Sequence, residues 1–511
     1  MDKSEKKISR RELLKSTLPV AACTLSGAYL SASCPAGAYG WLNPEAEKTF
    51  PVEIFRANPA IRHYRGRCHA CGACAENCVT QKKAQEMAGN FQKSPCIHCG
   101  QCILSCPDGA LVEKYDSPEV HQLMKEGIHD ETRRDEKCFV AILAPAVRVS
   151  LGEMFRMEPG TDVERKIVTG LRKLGFHYVL DVTFGADLTV MEETAELLTR
   201  LKHSGKTDSS PAEFPFFTSC CPAWVKYAEY FYPELLPHIS TCKSPIAMQG
   251  AVIKTWFAKE KNIAPENIIV VAITPCTAKK FEIQRPEMNA SEHFWPSLKK
   301  EIRDVDFALT TREIGWWLRE SGVQLSVLKN GNFDDLMNRG SGAGVIFGNT
   351  GGVTEAVLRT LHFNITGKNP PEEFLQFSSV RGMNGMKIAE VEIASRKFRV
   401  GVIHGMENVE KYLQSLKASP ENENQRLDFV EVMACPGGCI GGGGQPFTFM
   451  VNGVPPLEKR MAGLYKKDKN DKIRLSYENQ DVKKIYEEFL GVPLSEMSEK
   501  LLHTKYVSRK E

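Results

Sequence analysis

The sequence FVEVMACPGGCIGGGG, residues 429–444, decides the fold of this chain: a short strand-like run leads directly into two cysteines and four successive glycines. Two other segments repeat the arrangement. In FPFFTSCCPAW (214–224) an apolar run precedes two adjacent cysteines, and in IIVVAITPCTAKK (268–280) another precedes a single cysteine. Short apolar runs bounded by turn residues are typical of buried strands. The chain is therefore expected to contain a sheet whose strands end in cysteine-bearing loops.

The ends of these strands predict one binding centre. In open α/β sheets, ligands bind outside the carboxyl ends of the strands. The three loops could therefore bring together the thiolates of Cys221, Cys276, Cys435 and Cys439. Four thiolates is the number that a cubane iron–sulfur cluster needs. The stretch Gly441–Gly444 would let the backbone approach a bulky cofactor without Cβ clashes.

A large α/β domain is predicted over residues 138–511, because apolar runs alternate there with helical patterns. Helical periodicity is found at Val163–Leu174 and Leu188–Leu201. The predicted strands are Phe139–Ala144, Tyr178–Val182, Phe214–Phe217, Ile268–Ile273, Val345–Phe347, Val400–Ile403 and Phe429–Met433.

A second cysteine-rich unit is predicted over residues 61–115. Its two runs, CHACGACAENC (68–78) and CIHCGQCILSCP (96–107), have the spacing of bacterial two-cluster ferredoxins, in which the fourth cysteine of each run binds the other cluster. One [4Fe–4S] cluster would use Cys68, Cys71, Cys74 and Cys106, and the other Cys96, Cys99, Cys102 and Cys78. Two zinc sites are the alternative, although zinc motifs rarely show three ligands at this spacing. We therefore expect a small α+β ferredoxin-like domain that relays electrons, with His69 and His98 as surface or packing residues.

Bulk composition narrows the class of protein. The 511 residues have room for two to four domains. A hydrophobic content of 42%, a charged content of 25% and a net charge of +3 are those of an ordinary globular protein, and no electrostatic signature of nucleic-acid binding stands out. Most of the 17 cysteines lie in tight clusters. Metal or cluster ligation is favoured over disulfides, which belong mainly to small secreted domains.

The N-terminal region, residues 1–40, is interpreted as an export signal. SRRELLK (9–15) resembles the twin-arginine motif, and no charged residue follows Lys15 until Glu45. That stretch is only mildly apolar, so a signal region fits better than a transmembrane helix. Export of the folded protein would let clusters be inserted before translocation, which predicts a periplasmic or otherwise extracytoplasmic location. A disordered basic tail on a cytoplasmic protein is the alternative. A linker is predicted at 41–60 and a polar connector at 116–137.

The motifs together resemble one family. TSCCPAW, TPCTAKKFE and MACPGGCIGGGGQP are similar to the three signature motifs of [FeFe]-hydrogenases, and the supporting segments LAPAVR (143–148), GADLTVMEETAELL (185–198), GAGVIFGNTGGV (342–353) and LLHTKY (501–506) resemble the same family. The similarity covers residues 61–511. It implies reversible interconversion of H2 with protons and electrons at an H-cluster.

The resemblance also implies roles for individual residues. The H-cluster is a cubane, held here by Cys221, Cys276, Cys435 and Cys439, joined to a di-iron unit with CO, cyanide and a bridging dithiolate; Cys439 would bridge the two parts. Lys279 matches the cyanide-binding lysine. Residues matching other positions around the cluster are Pro145, Ser244, Pro245, Phe347 and Met433.

A proton path follows from the same resemblance. Cys220 would exchange a proton with the di-iron unit, and the path would continue through Glu193, Ser240 and Glu196 to Arg200. From spacing alone, the two glutamates, three positions apart on one helix, also fit a solvated helix face.

Two positions depart from the family pattern: Thr274 stands where many relatives have Met, and Ala146 where Ser is frequent. An assembly or scaffold protein that lost the chemistry is a competing interpretation, as is a hydrogen sensor. A scaffold should lack Cys220 and the CTAKK segment, and a sensor should carry an extra signalling domain. The expected partners are a small redox carrier (ferredoxin or c-type cytochrome) and maturation enzymes, with no nucleic acid. Peripheral membrane association through the signal region stays open.

Overall fold

Two sheets, each of four strands in the part of the chain that the structure describes, carry the cysteine loops. The structure is a computed structural model and describes Val52 and residues 54–86, 95–127, 137–203, 214–298, 301–337, 340–418, 427–447 and 456–509. The predicted signal region, 1–40, lies outside these residues.

The strands are β1 (Ile61–His63), β2 (Leu111–Glu113), β3 (Cys138–Leu143), β4 (Tyr178–Asp181), β5 (Phe216–Phe217), β6 (Ile268–Thr274), β7 (Phe307–Thr310), β8 (Met386–Ile393), β9 (Arg396–His404) and β10 (Phe429–Met433). The helices are α1 (Ala73–Glu76), α2 (Val79–Glu86), α3 (Gln101–Ser105), α4 (Ser117–Gly127), α5 (Glu164–Lys173), α6 (Val182–His203), α7 (Pro222–Phe231), α8 (Pro245–Val252), α9 (Ala258–Glu260), α10 (Lys279–Glu282), α11 (Ala290–Phe294), α12 (Thr311–Glu320), α13 (Gly342–Ile346), α14 (Gly352–Thr366), α15 (Glu372–Leu375), α16 (Met406–Ala418), α17 (Leu457–Asn470), α18 (Gln480–Ile485) and α19 (Glu496–Leu502).

The first sheet has the order β4-β3-β6-β7 and is parallel throughout. Its central strands are apolar because helices cover both faces, as is usual for parallel sheets. Residues of α5 and α12 pack on one face and residues of α6 and α8 on the other.

The second sheet has the order β5-β10-β9-β8. β5, β10 and β9 are parallel, whereas β8 is antiparallel to β9. Side chains of β8 alternate between exposed and buried, as expected for an edge strand with one covered face. Helix α14 packs with α6 on one face of this sheet, and α7 and α16 pack on the other.

Helix α6 packs into the hydrophobic cores of both four-stranded sheets. Phe184 and Leu188 belong to the core of the first sheet, and Val190 and Leu197 to the core of the second. The helix is buried on several sides although it is not apolar all round, since Asp187, Glu192 and Glu193 on it are fully buried.

One predicted strand, Val345–Phe347, is wrong. The structure has helix α13 (Gly342–Ile346) there, with the Ser341 hydroxyl accepting a hydrogen bond from the Gly344 N–H at 3.4 Å. Glycines precede and follow the apolar run, and short apolar runs do not distinguish a strand from a buried helical turn. The sequence patterns also missed β7 and β8.

The cysteine-rich segment has its own small core. β1 pairs antiparallel with β2, and Val52, Ile61, Ile103 and Leu111 pack together with the cysteines. Within the described residues, no helix is both long and apolar enough to cross a membrane.

Candidate functional site

Four cysteines lie at the carboxyl ends of three strands, as the pattern predicts. Cys221 is the residue before α7, Cys276 follows β6, Cys435 follows β10, and Cys439 starts the next helical turn. The strands belong to both sheets, because β5 and β10 are neighbours in the second sheet and β6 lies in the first. The site is therefore at a junction of two sheets.

These thiols are close enough to influence one another. The Sγ of Cys221 accepts a hydrogen bond from the Ala434 N–H at 3.4 Å. Burial, and then the neighbouring Cys221 thiol, raise the pKa of Cys276 to about 11. Burial raises the pKa of Cys435 and Cys439 as well, and Cys276 and Cys221 add to the shift of both. Four buried or half-buried thiols that repel one another as thiolates suit a shared cationic centre, because metal ions stabilise the deprotonated form.

The glycine stretch makes room for protein backbone. A Cβ on Gly442 would collide with the carbonyl oxygen of Pro275, and a Cβ on Gly443 with the carbonyl oxygen of Cys99. The Gly444 N–H donates to the Pro275 carbonyl at 2.8 Å. These glycines therefore join the loop after β10 to the loop after β6 and to the cysteine-rich segment. The approach of their backbone to a bulky cofactor stays a prediction.

The eight N-terminal cysteines fall into two groups. One cavity is lined by Cys68, Cys71, Cys74 and Cys106, and another by Cys78, Cys96, Cys99 and Cys102. These are the crossed sets that the spacing predicts, with the fourth cysteine of each run joining the other group. The donor chemistry of each set, four thiols around one cavity, fits a [4Fe–4S] cluster.

The second of these groups lies beside the strand-end cysteines. The Thr277 hydroxyl, next to Cys276, donates to the His98 carbonyl at 2.7 Å. His98 is buried, and its Nε2 is 2.6 Å from the Nζ of Lys226, whereas His69 is exposed beside Asp108. Burial, with the neighbouring Lys226 charge, keeps the pKa of His98 well below its usual value.

Lys279 is held in place next to Cys220. Its ammonium donates to the Cys220 carbonyl at 3.2 Å and to the Glu282 carboxylate at 2.8 Å, and the Ser244 hydroxyl donates to the same carboxylate at 2.9 Å. Burial opposes the charge, but Glu282 and Cys276 together raise the pKa of Lys279. Sequence reasoning passed over Glu282, although it closes the quoted TPCTAKKFE motif.

The other predicted pocket residues are also buried or at element starts. Phe347 and Met433 share an apolar cluster with Cys220, while Pro245 starts α8 and Pro145 starts a 3-10 turn after β3.

The two departures from the family pattern are buried. Thr274 ends β6, and Ala146 packs in an apolar cluster against Cys439.

The outer three of the predicted proton-path residues are joined by hydrogen bonds, and the inner two, Cys220 and Glu193, are buried. Glu196 accepts hydrogen bonds from the Ser240 hydroxyl and the Arg200 guanidinium, both at 2.9 Å, and Arg200 is partly exposed.

Glu193 is fully buried, and neither of its oxygens makes a hydrogen bond of normal geometry. Burial, with the nearby Glu196 charge, raises the pKa of Glu193 to about 8, although Ser240 and the Ser219 N–H act in the opposite direction. Burial and Glu193 likewise raise the pKa of Cys220. The alternative of a solvated helix face is wrong, because both glutamates are buried.

Buried ion pairs that the sequence did not reveal join the cysteine-rich segment to the glycine loop. Arg312 forms a bidentate pair with Glu113 and donates to the carbonyls of Gly443 and Gln445. Lys280 pairs with Asp116 at 2.7 Å and with Glu313 at 2.9 Å. Arg312 and Glu113 are 199 residues apart in the chain, and Lys280 and Asp116 are 164 apart. Only long-range folding brings these two pairs together.

Comparison with known families decides the identity of this site. The profile of the family described as "Iron only hydrogenase large subunit, C-terminal domain" matches residues 137–443. The chain belongs to the iron-only, or [FeFe], hydrogenase family. A second profile, "Iron hydrogenase small subunit", matches residues 455–509, so this hydrogenase chain carries both parts.

Relatives of the hydrogenase chain cover most of its length. It is 38% identical to iron hydrogenase 1 of Clostridium pasteurianum, over 86% of this chain and 75% of the relative. It is 40% identical to the periplasmic [Fe] hydrogenase large subunit of Nitratidesulfovibrio vulgaris, over 76% and 88%. An apo [FeFe]-hydrogenase from Chlamydomonas reinhardtii superimposes with a TM-score of 0.64 at 37% identity, covering 76% of this chain and 98% of that structure.

The cofactors follow from the family and fit the residues present. An [FeFe]-hydrogenase carries an H-cluster and [4Fe–4S] clusters, and this chain offers three groups of four cysteines for them.

Proposed function

We propose that the chain catalyses the reversible reaction H2 ⇌ 2 H+ + 2 e−, and that its two N-terminal [4Fe–4S] clusters relay the electrons to an external redox carrier. The observation that carries this proposal is Cys220, a buried thiol located between a four-cysteine centre and a neutral buried carboxyl, Glu193. An electron-transfer protein needs the cysteines alone. A hydrogenase also needs a group that delivers protons to the metal.

The catalytic centre would be held by Cys221, Cys276, Cys435 and Cys439. When bound, the di-iron unit supplies the metal site at which dihydrogen is cleaved or formed. The Lys279 ammonium, fixed by Glu282, presents a positive charge suited to an anionic cyanide. Phe347 and Met433 keep water from the side of the site next to Cys220, because both are buried in one apolar cluster with Cys220.

Electrons would pass along the cysteine groups in order. The set Cys78, Cys96, Cys99 and Cys102 would stand next to the catalytic cubane, since the Cys99 backbone contacts Gly443 of the cluster-binding loop. The set Cys68, Cys71, Cys74 and Cys106 would exchange electrons with the carrier, because it includes Cys71, which is exposed.

Protons would move through side chains of α6 and the loop before α8. Cys220 would exchange a proton with Glu193, which holds its own proton below its pKa of about 8. Ser240 and Glu196 would carry the proton on towards solvent beside Arg200, whose guanidinium, itself always protonated, is held by the Glu196 carboxylate and the Pro237 carbonyl. A carboxyl that is still protonated near neutral pH is well matched to proton transfer.

The proposal is tested with the matured holoenzyme, by measuring hydrogen evolution from reduced viologen. Cys220→Ala should lower the rate by about 10²- to 10⁴-fold, the usual contribution of a general acid or base. Cys138→Ala is the matched control, because Cys138 is a half-buried cysteine at the start of β3, apart from the cysteine groups. Equal rates in wild type and Cys220→Ala would contradict the proton role.

A second function has support from several relatives that are cytosolic iron–sulfur assembly proteins. The chain is 31% identical to cytosolic iron-sulfur assembly component 3 of Bos taurus, over 80% of this chain and 82% of the relative. An assembly role would be favoured by a fully iron-loaded, matured protein without hydrogen evolution. Cys220 and the intact CTAKK segment favour the enzyme.

We further propose that the protein is exported by the twin-arginine route and delivers electrons from H2 to a small carrier, a ferredoxin or a c-type cytochrome. The motif at 9–15 supports this, as does the similarity to the periplasmic [Fe] hydrogenase large subunit of Nitratidesulfovibrio vulgaris. Fusion of residues 1–40 to a folded reporter should direct it out of the cytoplasm. Replacing Arg10 and Arg11 by Lys should abolish that export, and retention of the reporter by the unmodified fusion would contradict the proposal.

A further inference from the structure

Cys242, His503 and Glu196 form a cluster of metal-ligating groups outside the cysteine sets described above. Their ligand atoms (a thiol sulfur, an imidazole nitrogen and a carboxylate oxygen) all lie within 4.8 Å of one another. We propose that this cluster binds a zinc-class divalent cation, and that occupation of the site blocks proton transfer through Glu196. The inhibitory part rests on the proposed function, whereas the binding part does not.

Backbone pairing holds two of the ligands side by side. Cys242 and His503 form an isolated antiparallel β-bridge. The Lys243 N–H donates to the Leu502 carbonyl and the Thr504 N–H to the Thr241 carbonyl, each at 2.8 Å. The C-terminal segment is therefore fixed against the loop before α8, and the thiol and imidazole are positioned by main chain and not by flexible side chains alone.

The imidazole is oriented as a ligand. Its Nε2 is 3.1 Å from the carboxylate of Glu192, a buried group that also accepts hydrogen bonds from the Tyr486 and Ser498 hydroxyls. With Nε2 protonated toward Glu192, Nδ1 presents its lone pair on the opposite side of the ring, where the Thr241 hydroxyl lies 2.7 Å away. A carboxylate that fixes the far nitrogen is the usual outer-shell arrangement of metal-binding histidines.

The third ligand, Glu196, is on the Nδ1 side of the His503 ring. The Thr241 hydroxyl that faces Nδ1 of His503 is also 3.4 Å from Glu196 Oε2. One sulfur, one nitrogen and one oxygen ligand with an open fourth position is a composition typical of zinc. Zinc bond lengths place the ligand atoms about 3.5 Å apart. The three ligand atoms would therefore move about 1 Å closer together when zinc binds.

Binding requires the thiol proton to leave. The Zn–S bond would form as the S–H bond of Cys242 breaks, and the proton would be released to solvent without any change of oxidation state. Glu196 would turn from the Ser240 and Arg200 hydrogen bonds to the metal. Since Glu196 is the step between Ser240 and the partly exposed Arg200, an ion at this point would close the proposed proton exit.

The test uses the iron-replete holoenzyme and Zn2+ alone. Zinc titration followed by desalting should leave one zinc per chain, and zinc-edge X-ray absorption should show one sulfur at about 2.3 Å with nitrogen and oxygen ligands. Hydrogen evolution should be inhibited as the site fills. Cys138→Ala should behave as wild type.

Variants separate this site from the cluster cysteines. Cys242→Ala should lose the sulfur from the zinc shell and need far more zinc for inhibition. Glu192→Gln should weaken zinc affinity by about 10- to 100-fold, as for other outer-shell partners. His503→Gln, at a partly exposed position, supplies the test if Cys242→Ala does not accumulate.

Three results would overturn the proposal: a four-sulfur shell, which indicates zinc in a cluster site; a shell without sulfur in the wild type; or unchanged inhibition in Cys242→Ala. An inactive holoenzyme that still shows the mixed shell would contradict the hydrogenase proposal and leave the zinc site standing. An active holoenzyme without bound zinc would contradict the zinc site alone.

Discussion

Replacing Glu193 by Gln should make the protein more stable at alkaline pH while it lowers hydrogen evolution. Glu193 is fully buried, and burial with the nearby Glu196 charge raises its pKa from an ordinary 4.5 to about 8. Between these two values the unfolded chain has lost this proton and the folded chain has kept it. Glutamine is close in shape to protonated glutamic acid, but its side chain does not ionise in this pH range.

The sign and size follow from proton linkage. Where the folded state binds one more proton than the unfolded state, the free energy of unfolding falls as pH rises, by about 1.4 kcal/mol per pH unit. For Glu193 this fall begins near pH 4.5 and ends near pH 8, for a total of about 5 kcal/mol. Glutamine does not titrate, so the unfolding free energy of the Gln variant does not fall in this way. Its stability relative to wild type should therefore increase between pH 4.5 and pH 8 and then level off.

The assay is denaturant or thermal unfolding of wild type and Glu193→Gln at several pH values between 5 and 9, with hydrogen evolution measured alongside. Glu196→Gln serves as the comparison: Glu196 pairs with Arg200 and accepts from Ser240, so its replacement should lower activity without raising stability. If the stability difference between wild type and Glu193→Gln stays constant with pH, the conclusion that the buried Glu193 carboxyl is neutral in the folded protein is wrong. Full activity in Glu193→Gln would refute its role in proton transfer.

Three further changes test other parts of the structure. Gly443→Ala should destabilise the protein by about 1–3 kcal/mol and reduce its iron content, because the added Cβ collides with the cysteine-rich segment, whereas Gly66→Ala has open space and should be neutral in the same assays. Cys78→Ala should abolish the electron paramagnetic resonance signal of the cluster next to the catalytic centre and Cys106→Ala that of the outer cluster; the reverse pattern would show that the ligand sets are not crossed. Arg312→Met should cost about 3–5 kcal/mol of unfolding free energy, since it leaves a buried carboxylate unpaired, and an unchanged denaturation midpoint would contradict this.

The parts of this fold that local patterns encode could be predicted from the sequence. The strand Phe429–Met433 has the predicted limits, and Ile268–Thr274 differs from prediction by one residue. The crossed cysteine sets followed from ligand spacing, because spacing reflects the geometry of a cluster. The run Val345–Phe347 was mistaken for a strand, since three apolar residues fit a helical turn equally well.

Features that depend on long-range contacts could not be predicted. Nothing local shows that the cysteine loops leave two different sheets, or that Gly443 packs against the backbone of Cys99. The burial of Glu193 and Glu196 is equally non-local, because two glutamates three positions apart are more often a solvated face. The site formed by Cys242 and His503 joins residues 261 positions apart in numbering, and only the β-bridge reveals it.

The central claim is that Cys221, Cys276, Cys435 and Cys439 hold an H-cluster at which hydrogen reacts. An infrared spectrum of the matured holoenzyme tests it most directly, because CO and cyanide ligands absorb where protein does not. We predict CO and cyanide bands in the wild type and their loss in Cys439→Ala. An iron-replete, matured wild-type protein without these bands would contradict the claim.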